Sequence, residues 1–193
     1  MRKLTYFIAT SLDGYIAAPD GDGDYFNQYL DPEFIEYLTT EWAETIPTHG
    51  HAMLGLDTFE AKHFDAVLMG RGTYDVGQKL GVTSPYAHLR QYVATRSLTT
   101  SPDPAVELIS RDVLERVREL KAQDGLGIWL CGGSDLVGAL VDEIDEFVVK
   151  TYPVLAGAGL PMARAGFEPR ALRLIDVKGF GGGQVVTRYA RKR

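Results

Sequence analysis

Residues 67–74, VLMGRGTY, and residues 128–136, IWLCGGSDL, share one arrangement, an apolar run that stops at glycine. Short apolar runs bounded in this way predict buried strands, and the residues after each glycine suit the first turn of a helix. In a parallel sheet both strands end at the same carboxyl edge, where helix amides and positive dipole ends favour phosphate groups. Tight packing explains either turn equally well on its own. The pair, with Arg71 built into one turn, favours a phosphate-bearing ligand.

Apolar spacing extends this alternation of strands and helices along the chain. Strands are predicted at 4–9, 15–17, 66–69, 91–95, 106–109, 128–131, 147–154, 171–177 and 184–189, with a hairpin connection at 181–183. Helices are predicted after Asp31, Gly72, Ser110 and Gly133, with Asp31 and Ser110 as N-terminal caps. This order predicts a single α/β domain with a mostly parallel central sheet, antiparallel C-terminal edge strands and helices on both faces.

The composition is that of a globular domain. Of the 193 residues, 45% are hydrophobic and 24% charged, which fits one domain with one core. A net charge of −6 without a basic stripe argues against nucleic acid as a partner, and the apolar runs are too short to span a membrane. The lone Cys131 forms no internal disulfide, and the N-terminus does not resemble a signal segment, so a cytoplasmic location is expected.

Two common phosphate-binding fingerprints are absent from the sequence. No G-x-G-x-x-G follows the first strand, and no G-K-[ST] loop occurs. A standard Rossmann dehydrogenase is therefore disfavoured.

Several motifs in a fixed order carry a resemblance to a known family. They are the first strand with Ala9, Ser11, Asp13-Gly14 and Ile16-Ala17, the turn at 69–74, the turn Gly132-Gly133, and YPVLAGAG at 152–159. In this order they resemble the dihydrofolate reductase-like proteins, in particular the branch that contains the reductase domain of bacterial riboflavin biosynthesis. The resemblance covers nearly the whole chain. It implies a dihydrofolate reductase-like fold and an NADPH-dependent reductase that transfers hydride to a small heterocyclic or carbonyl substrate.

The resemblance also implies which residues bind the cofactor. The nicotinamide is expected beside Ala9, Ile16 and Ala17; the adenosine-side phosphates beside Gly70, Arg71, Gly72 and Thr73; the adenosine 2′-phosphate beside Thr95 and Arg96; and the pyrophosphate beside Gly132, Gly133, Ser134, Asp135 and Leu136. Two guanidinium groups near the 2′-phosphate would favour NADPH over NADH, because a bidentate fork matches phosphate oxygens. The alternative for Arg96 is a solvated charge at a strand end.

Reduction also requires a proton near the substrate. In folate-reducing relatives an acidic residue near the start of the first helix takes part in this task, which makes Glu33 and Asp31 the catalytic candidates here. Asp31 already has a sufficient role as a helix cap. Lys150, within an apolar strand, either points into the pocket and binds an anionic substrate group or lies on the solvent face.

The segment 45–65 is interpreted as an enlarged loop that shorter relatives lack. It is expected to be either a lid over the substrate or part of a dimer contact, since long irregular segments are often functional. His49, His51 and His63 lack the spacing of a metal site, so no metal is expected.

A homodimer is expected, because relatives pair through the closing strands and the β-branched edge at 185–187 needs cover.

The alternative to a reductase is a nucleotide-binding protein that retains the NADPH pocket without catalysis.

Overall fold

The computed structural model describes residues 1–192. In chain order its main elements are β1 (Leu4–Thr10), β2 (Tyr15–Ala17), α1 (Pro32–Glu41), β3 (Phe64–Gly70), α2 (Arg71–Lys79), β4 (Arg90–Ala94), β5 (Val106–Ile109), α3 (Val113–Ala122), β6 (Gly127–Gly132), α4 (Ser134–Leu140), β7 (Glu146–Thr151), β8 (Leu160–Pro161), β9 (Leu172–Gly179) and β10 (Val185–Arg191). Short 3-10 helices lie at Asp24–Tyr29, Ala43–Thr45, Thr48–Gly50 and Ala52–Leu54. Within residues 1–192, every helix is too short or too polar to cross a bilayer.

Eight of the described strands form one sheet in the order β5-β4-β3-β6-β1-β7-β10-β9. The strands from β5 to β7 in this order are parallel, whereas β10 and β9 run antiparallel to their neighbours. Helices occupy most of the connections between parallel strands, which need a crossover. The predicted sheet, mostly parallel with antiparallel C-terminal edge strands, is confirmed. The prediction that residues 185–187 form the exposed edge is wrong, because β10 lies between β7 and β9, and β9 is the edge strand. The strands β2 and β8 pair separately in a small antiparallel sheet.

The sheet separates two apolar layers. Adjacent residues of a strand point to opposite faces, so β1 supplies Phe7 to one layer and Tyr6 to the other. The Phe7 layer packs against α1, whose Phe34 is fully buried. The Tyr6 layer packs against α3 and α4 through Val117, Leu120, Val137 and Leu140. Helices therefore cover both faces of the sheet, as predicted.

Aromatic contacts attach α1 to the β9–β10 hairpin. The Phe34 ring meets Phe180 edge to face at a centroid distance of 4.9 Å, and Tyr152 at 5.7 Å. Tyr37, one turn further along the helix, lies 5.0 Å from the same Phe180 ring. Such pairs add about 0.5–1.5 kcal/mol each beyond the burial of their surface. They hold the start of α1 close to the hairpin.

Several predicted boundaries differ from those of the structure, among them the start of α2, which is Arg71 and not a residue after Gly72, the start of α3 and the end of β7. The helix α3 begins at Val113, and Ser110 does not cap it, because Asp112 adopts a φ of 48° and turns the chain into the helix two residues later. The strand β7 ends at Thr151 instead of 154. Pro153 has no amide hydrogen to continue the ladder, and it disturbs the backbone of the residue before it.

Contacts with the loop before β4 order the enlarged segment 45–65. The Thr48 amide donates to the Pro85 carbonyl at 2.8 Å, and the Thr48 hydroxyl lies 2.9 Å from Nδ1 of His88. The other ring nitrogen of His88 lies 2.9 Å from the Glu44 carbonyl oxygen. These bonds fix the segment to the rest of the chain. Its role as a lid or a dimer contact stays a prediction.

Candidate active site

The two glycine turns meet at the carboxyl edge of the sheet. The strands β3 and β6 are neighbours, with Met69 and Gly132 in register. A methyl group on Gly70 would lie 3.2 Å from the Gly132 carbonyl oxygen and 3.2 Å from the Gly133 nitrogen, closer than relaxed van der Waals contact. The turns therefore need glycine at position 70 to approach each other. Gly132 has a φ of 126°, a conformation that is accessible to glycine and strained for other residues.

The helices that follow these turns have free N-termini. Gly70 and Gly133 are the N-cap residues of α2 and α4, and no side chain of the described chain caps either helix. In contrast, the carboxylate of Asp31 caps α1 by accepting from the Phe34 amide at 2.8 Å. Uncapped first-turn amides lack partners within the helix and carry partial positive charge. The Thr73 hydroxyl lies 3.7 Å from the Cβ position of Gly133, so it adds a further donor at the same place.

The predicted wall for the 2′-phosphate contains two arginines. Arg71 is the first residue of α2, where its Nε donates to Asp75 at 2.6 Å and its Nη1 to the Ser97 hydroxyl at 3.5 Å. The second contact brings Arg71 to the loop after β4. Arg96 in that loop is exposed and forms no hydrogen bond or ion pair with the rest of residues 1–192. The Thr95 hydroxyl accepts from the Ser97 amide at 3.2 Å, so this side chain shapes the turn.

The side chains that open α4 have partners within the protein. The Ser134 hydroxyl donates to the carbonyl oxygen of Pro161 in β8. Asp135 is exposed and forms an ion pair with Arg164 at 3.2 Å. Leu136 is buried in the Tyr6 layer of the core. For a ligand this turn therefore offers its backbone more than its side chains.

The end of β1 and the strand β2 form the predicted nicotinamide side. Ala9 lies in the Phe7 layer and is half-buried, as is Ile16. Ala17 pairs with Leu160 of β8, and the next residue of β8 accepts the bond from Ser134. The strand β8 thus links the nicotinamide side to the Gly132-Gly133 turn. Residues that are more than a hundred positions apart are brought into one connected structure.

A single carboxylate explains why two separated motifs occur together. Asp13 accepts from the Ser11 hydroxyl at 2.6 Å and from the amides of Ala156 and Gly157 at 3.0 and 2.8 Å. These hydrogen bonds, that of Ser11 first, lower the pKa of Asp13 to about 2. Asp13 therefore fastens the turn after β1 to the glycine-rich loop before β8. In the sequence, the only indication of this contact was that both motifs, the turn after β1 and the loop before β8, occur together.

The two predicted catalytic carboxylates face the β9–β10 hairpin. One oxygen of Asp31 caps α1, while the other is buried against Gly182 without a hydrogen-bond partner in the described chain. Glu33 accepts from the Gly181 amide at 3.2 Å. Each carboxylate thus has a structural position at this end of α1. Their catalytic role stays a prediction, and these contacts do not favour it.

Lys150 lies on the α1 side of the sheet, which settles the orientation that the sequence left open. It is in register with Ala9, and its Nζ lies 4.2 Å from the centroid of the Phe7 ring. Its ammonium group forms no hydrogen bond or ion pair with the other described residues. Burial lowers the pKa of Lys150 to about 8. Burial also raises the pKa of Cys131 to about 12 and that of Tyr86 well above its usual value, so these two contacting groups stay neutral.

A cleft lies at the opposite, amino edge of the sheet, where Arg2, Lys3, Glu146 and Arg188 line it. Its charges neutralise one another. Lys3 and Arg188 both form ion pairs with Glu146, at 2.5 and 2.7 Å, and Arg2 forms one with Asp65. The carboxyl edge instead has uncapped amides and an unpaired arginine, which makes it the stronger candidate for an anionic ligand.

The histidines in and beside the enlarged segment contact other parts of the protein. His51 is buried and its Nε2 lies 2.9 Å from the Ile46 carbonyl oxygen. His63 stacks on Trp42 at a centroid distance of 4.0 Å and lies 2.9 Å from Glu41. Within residues 1–192, no three His, Cys, Asp or Glu side chains are grouped so that they could hold a metal ion.

The sheet order and the paired glycine turns define a dihydrofolate reductase-like α/β protein with a candidate phosphate-binding site at its carboxyl edge. The sequence matches the family model of the RibD C-terminal domain over residues 2–186, and the chain belongs to this family. It is similar to YwjB, an uncharacterized protein of Bacillus subtilis strain 168, with 31% identity over 182 residues that cover 93% of each chain.

Solved structures agree with this assignment. A putative riboflavin biosynthesis protein from Shewanella sp. PV-4 has a TM-score of 0.73 at 26% identity, with 100% of both chains covered. A dihydrofolate reductase from Enterococcus faecalis, in complex with NADP(H) and RAB-propyl, has a TM-score of 0.63 at 14% identity, with 99% of this chain and 97% of that chain covered. The second likeness supports the fold. The predicted family resemblance is confirmed.

Alanine substitutions at the two adjacent glycines are expected to differ in their effect on stability, because the backbone at Gly132 is strained for alanine and the backbone at Gly133 is not. Gly132→Ala should lower the free energy of unfolding by about 1–3 kcal/mol, because its φ of 126° is strained for alanine. Gly133→Ala should change it by less than about 1 kcal/mol, because only the Thr73 hydroxyl lies within 4 Å of the new methyl group. Urea unfolding measures both. Equal losses would contradict this description of the turn.

Lys150→Met is expected to raise the free energy of unfolding at pH 7 by up to about 3 kcal/mol, because burial lowers the pKa of Lys150 from 10.5 to about 8. Between these pH values the unfolded chain binds more protons, so the wild type gains stability as the pH rises. The variant lacks this gain, and its advantage should shrink toward pH 10.5. Lys178→Met, at an exposed position on β9, is the control and should lower stability by no more than about 1 kcal/mol, the contribution of an exposed cation–π contact. If Lys150→Met were less stable than the wild type at pH 7, the charge of Lys150 would not destabilise the fold, contrary to this prediction.

Proposed function

We propose that this chain is an NADPH-dependent reductase that transfers hydride to a small heterocyclic or carbonyl substrate. The observation that carries the proposal is the meeting of two uncapped glycine turns on neighbouring strands, beside Arg71 and the unpaired Arg96. A dinucleotide needs a cradle of backbone donors for its pyrophosphate and cations for a terminal phosphate. The carboxyl edge of the sheet offers both in one place.

The residues present fit this cofactor. The Cβ position of Gly133 has open space apart from the Thr73 hydroxyl, so phosphate oxygens can approach the backbone there. In this proposal the amides of the two turns hold the pyrophosphate, and Arg71 and Arg96 hold the 2′-phosphate. Ala9, with Ile16 and Ala17 of β2, borders the nicotinamide. When bound, NADPH supplies the hydride, while the chain binds and orients the substrate.

The family and fold support a reductase. The Enterococcus protein is a dihydrofolate reductase bound to NADP(H) and shares the fold over nearly the whole chain.

We further propose that the partner is a small molecule and that the protein works in the cytoplasm, where the half-buried thiol of Cys131 stays reduced.

One observation favours the second candidate function, a nucleotide-binding protein without catalysis. Asp31 and Glu33 both contact the hairpin, which leaves the proton donor unassigned. Oxidation of NADPH, followed at constant protein concentration with pterin, flavin-precursor and quinone substrates, separates the two functions. Turnover with any of them would exclude the non-catalytic candidate.

Cofactor titrations test the two-arginine site. We expect NADPH to bind more tightly than NADH, because only NADPH carries the 2′-phosphate. Arg71→Ala should weaken NADPH about 10- to 100-fold and NADH much less, since a charge-assisted hydrogen bond contributes about 1.5–3 kcal/mol. Calorimetry or tryptophan fluorescence measures both affinities. Arg118→Ala, on α3 and paired with Glu143, is the matched control and should leave both unchanged. Equal affinity for the two cofactors in the wild type would rule out the two-arginine site.

We also propose a homodimer that forms through β9. This edge strand is exposed along its whole length, with Leu174, Ile175 and Val177 at 50%, 40% and 55% exposure. An apolar edge with unpaired backbone groups is a template for pairing with another strand. A second copy of the chain would cover it symmetrically.

Light scattering at micromolar concentration should give twice the chain mass of 21.3 kDa. Ile175→Asp should convert the protein to a monomer, because it places a charge in the proposed contact. Leu114→Asp serves as the control, since Leu114 is similarly exposed at 38% but lies on α3. A monomeric wild type, or an Ile175→Asp protein that stays dimeric, would exclude this interface.

A further inference from the structure

Lys150 is a half-buried cation with no anion among the described residues to balance it. Its Nζ rests over the Phe7 ring, a contact that offsets only part of the cost of removing an ammonium group from water. The remainder is normally offset by a carboxylate, yet Lys150 forms no ion pair with the described residues. Such an unpaired charge does not stabilise the fold. We therefore expect Lys150 to have a binding partner outside the chain.

The side chains around Lys150 do not supply this partner. Cys131 interacts electrostatically with Lys150 and contacts Tyr86, but both groups keep their protons because burial opposes their ionisation. The two carboxylates at the start of α1 have contacts elsewhere: one oxygen of Asp31 caps the helix, and Glu33 accepts from the hairpin. The surroundings of Lys150 are therefore neutral and largely apolar.

The position of Lys150 in the sheet suggests that its partner is the substrate. Lys150 is the register neighbour of Ala9, which borders the nicotinamide in the proposed function, and it lies one residue before the carboxyl end of β7. It is half-buried, so part of the residue is exposed to solvent. In the proposed function, a group bound by Lys150 would thus lie next to the atoms that are reduced.

We propose that Lys150 is the cationic anchor of the substrate site and that the substrate carries an anionic oxygen, a carboxylate or an enolate, next to the group that is reduced. This inference rests on the proposed function for the position of the reacting group. A charge-assisted bond to Nζ in a site of low polarity gives both affinity and orientation. It also selects against neutral analogues of the same shape, because they leave the ammonium group unpaired.

The experiment uses acetate as the anionic probe and acetamide as its neutral isostere. In protein labelled with ¹³C and ¹⁵N, the Lys150 ¹³Cε resonance, assigned by its loss in Lys150→Met, reports the pKa of the ammonium group. Acetate up to roughly 0.1 M, at ionic strength held constant with chloride, should raise this pKa by about one unit or more. Acetamide should not change it. The Lys178 resonance is the internal control, because Lys178 also rests over aromatic rings, Tyr37 and Phe180, but on the exposed β9.

The same samples separate this inference from the proposed function. NADPH should still bind Lys150→Met saturably, because the amides and arginines proposed to hold its phosphates belong to other strands and helices. If NADPH binds the wild type but acetate leaves the Lys150 pKa unchanged, or shifts Lys178 equally, the anchor is excluded and the reductase proposal stands. If NADPH does not bind the wild type, the proposed function fails, whatever acetate does to Lys150.

Discussion

The close approach of β3 to β6 at their carboxyl ends is the constraint on which the candidate site depends. Because Gly70 has no side chain, its backbone packs against the Gly132-Gly133 peptide. A larger residue at position 70 would push this peptide away and separate the N-termini of α2 and α4. Their unpaired amides then would not point to one place, and two weak anion sites would replace one strong one. The proposed site for a phosphate-bearing ligand thus depends on a local packing requirement.

The charge of Lys150 is a second constraint, and it lowers the stability of the fold. Lys150 sits in a layer that otherwise consists of aromatic and aliphatic side chains, and a methionine there would pack without the cost of a buried charge. Sites that bind charged ligands commonly keep such groups at the expense of the fold. In this protein the two constraints lie on different strands. The proposed cofactor side depends on backbone geometry at β3 and β6, while the proposed substrate side depends on one side chain of β7.

Local patterns were sufficient to predict the sheet and the glycine turns, because an apolar run, a glycine and a helix start lie within ten residues of one another. The partners of individual side chains were not predictable in this way. Ser134 donates to a residue 27 positions away, and Glu33 accepts from one 148 positions away. The face of Lys150 could not be determined either, since its neighbours Val148 and Val149 are both apolar and show no alternation. The order of the motifs identified the family, whereas the division between binding and supporting residues required the three-dimensional contacts.

The central claim is that the carboxyl edge binds the dinucleotide through the backbone of its two turns. Amide chemical shifts of ¹⁵N-labelled protein, followed during addition of NADPH, test it at each residue. The account predicts that the largest changes lie at 71–73 and 133–136, with smaller changes along β2. Changes centred on the amino-edge cleft around Arg2 and Arg188, or no saturable change at all, would contradict it.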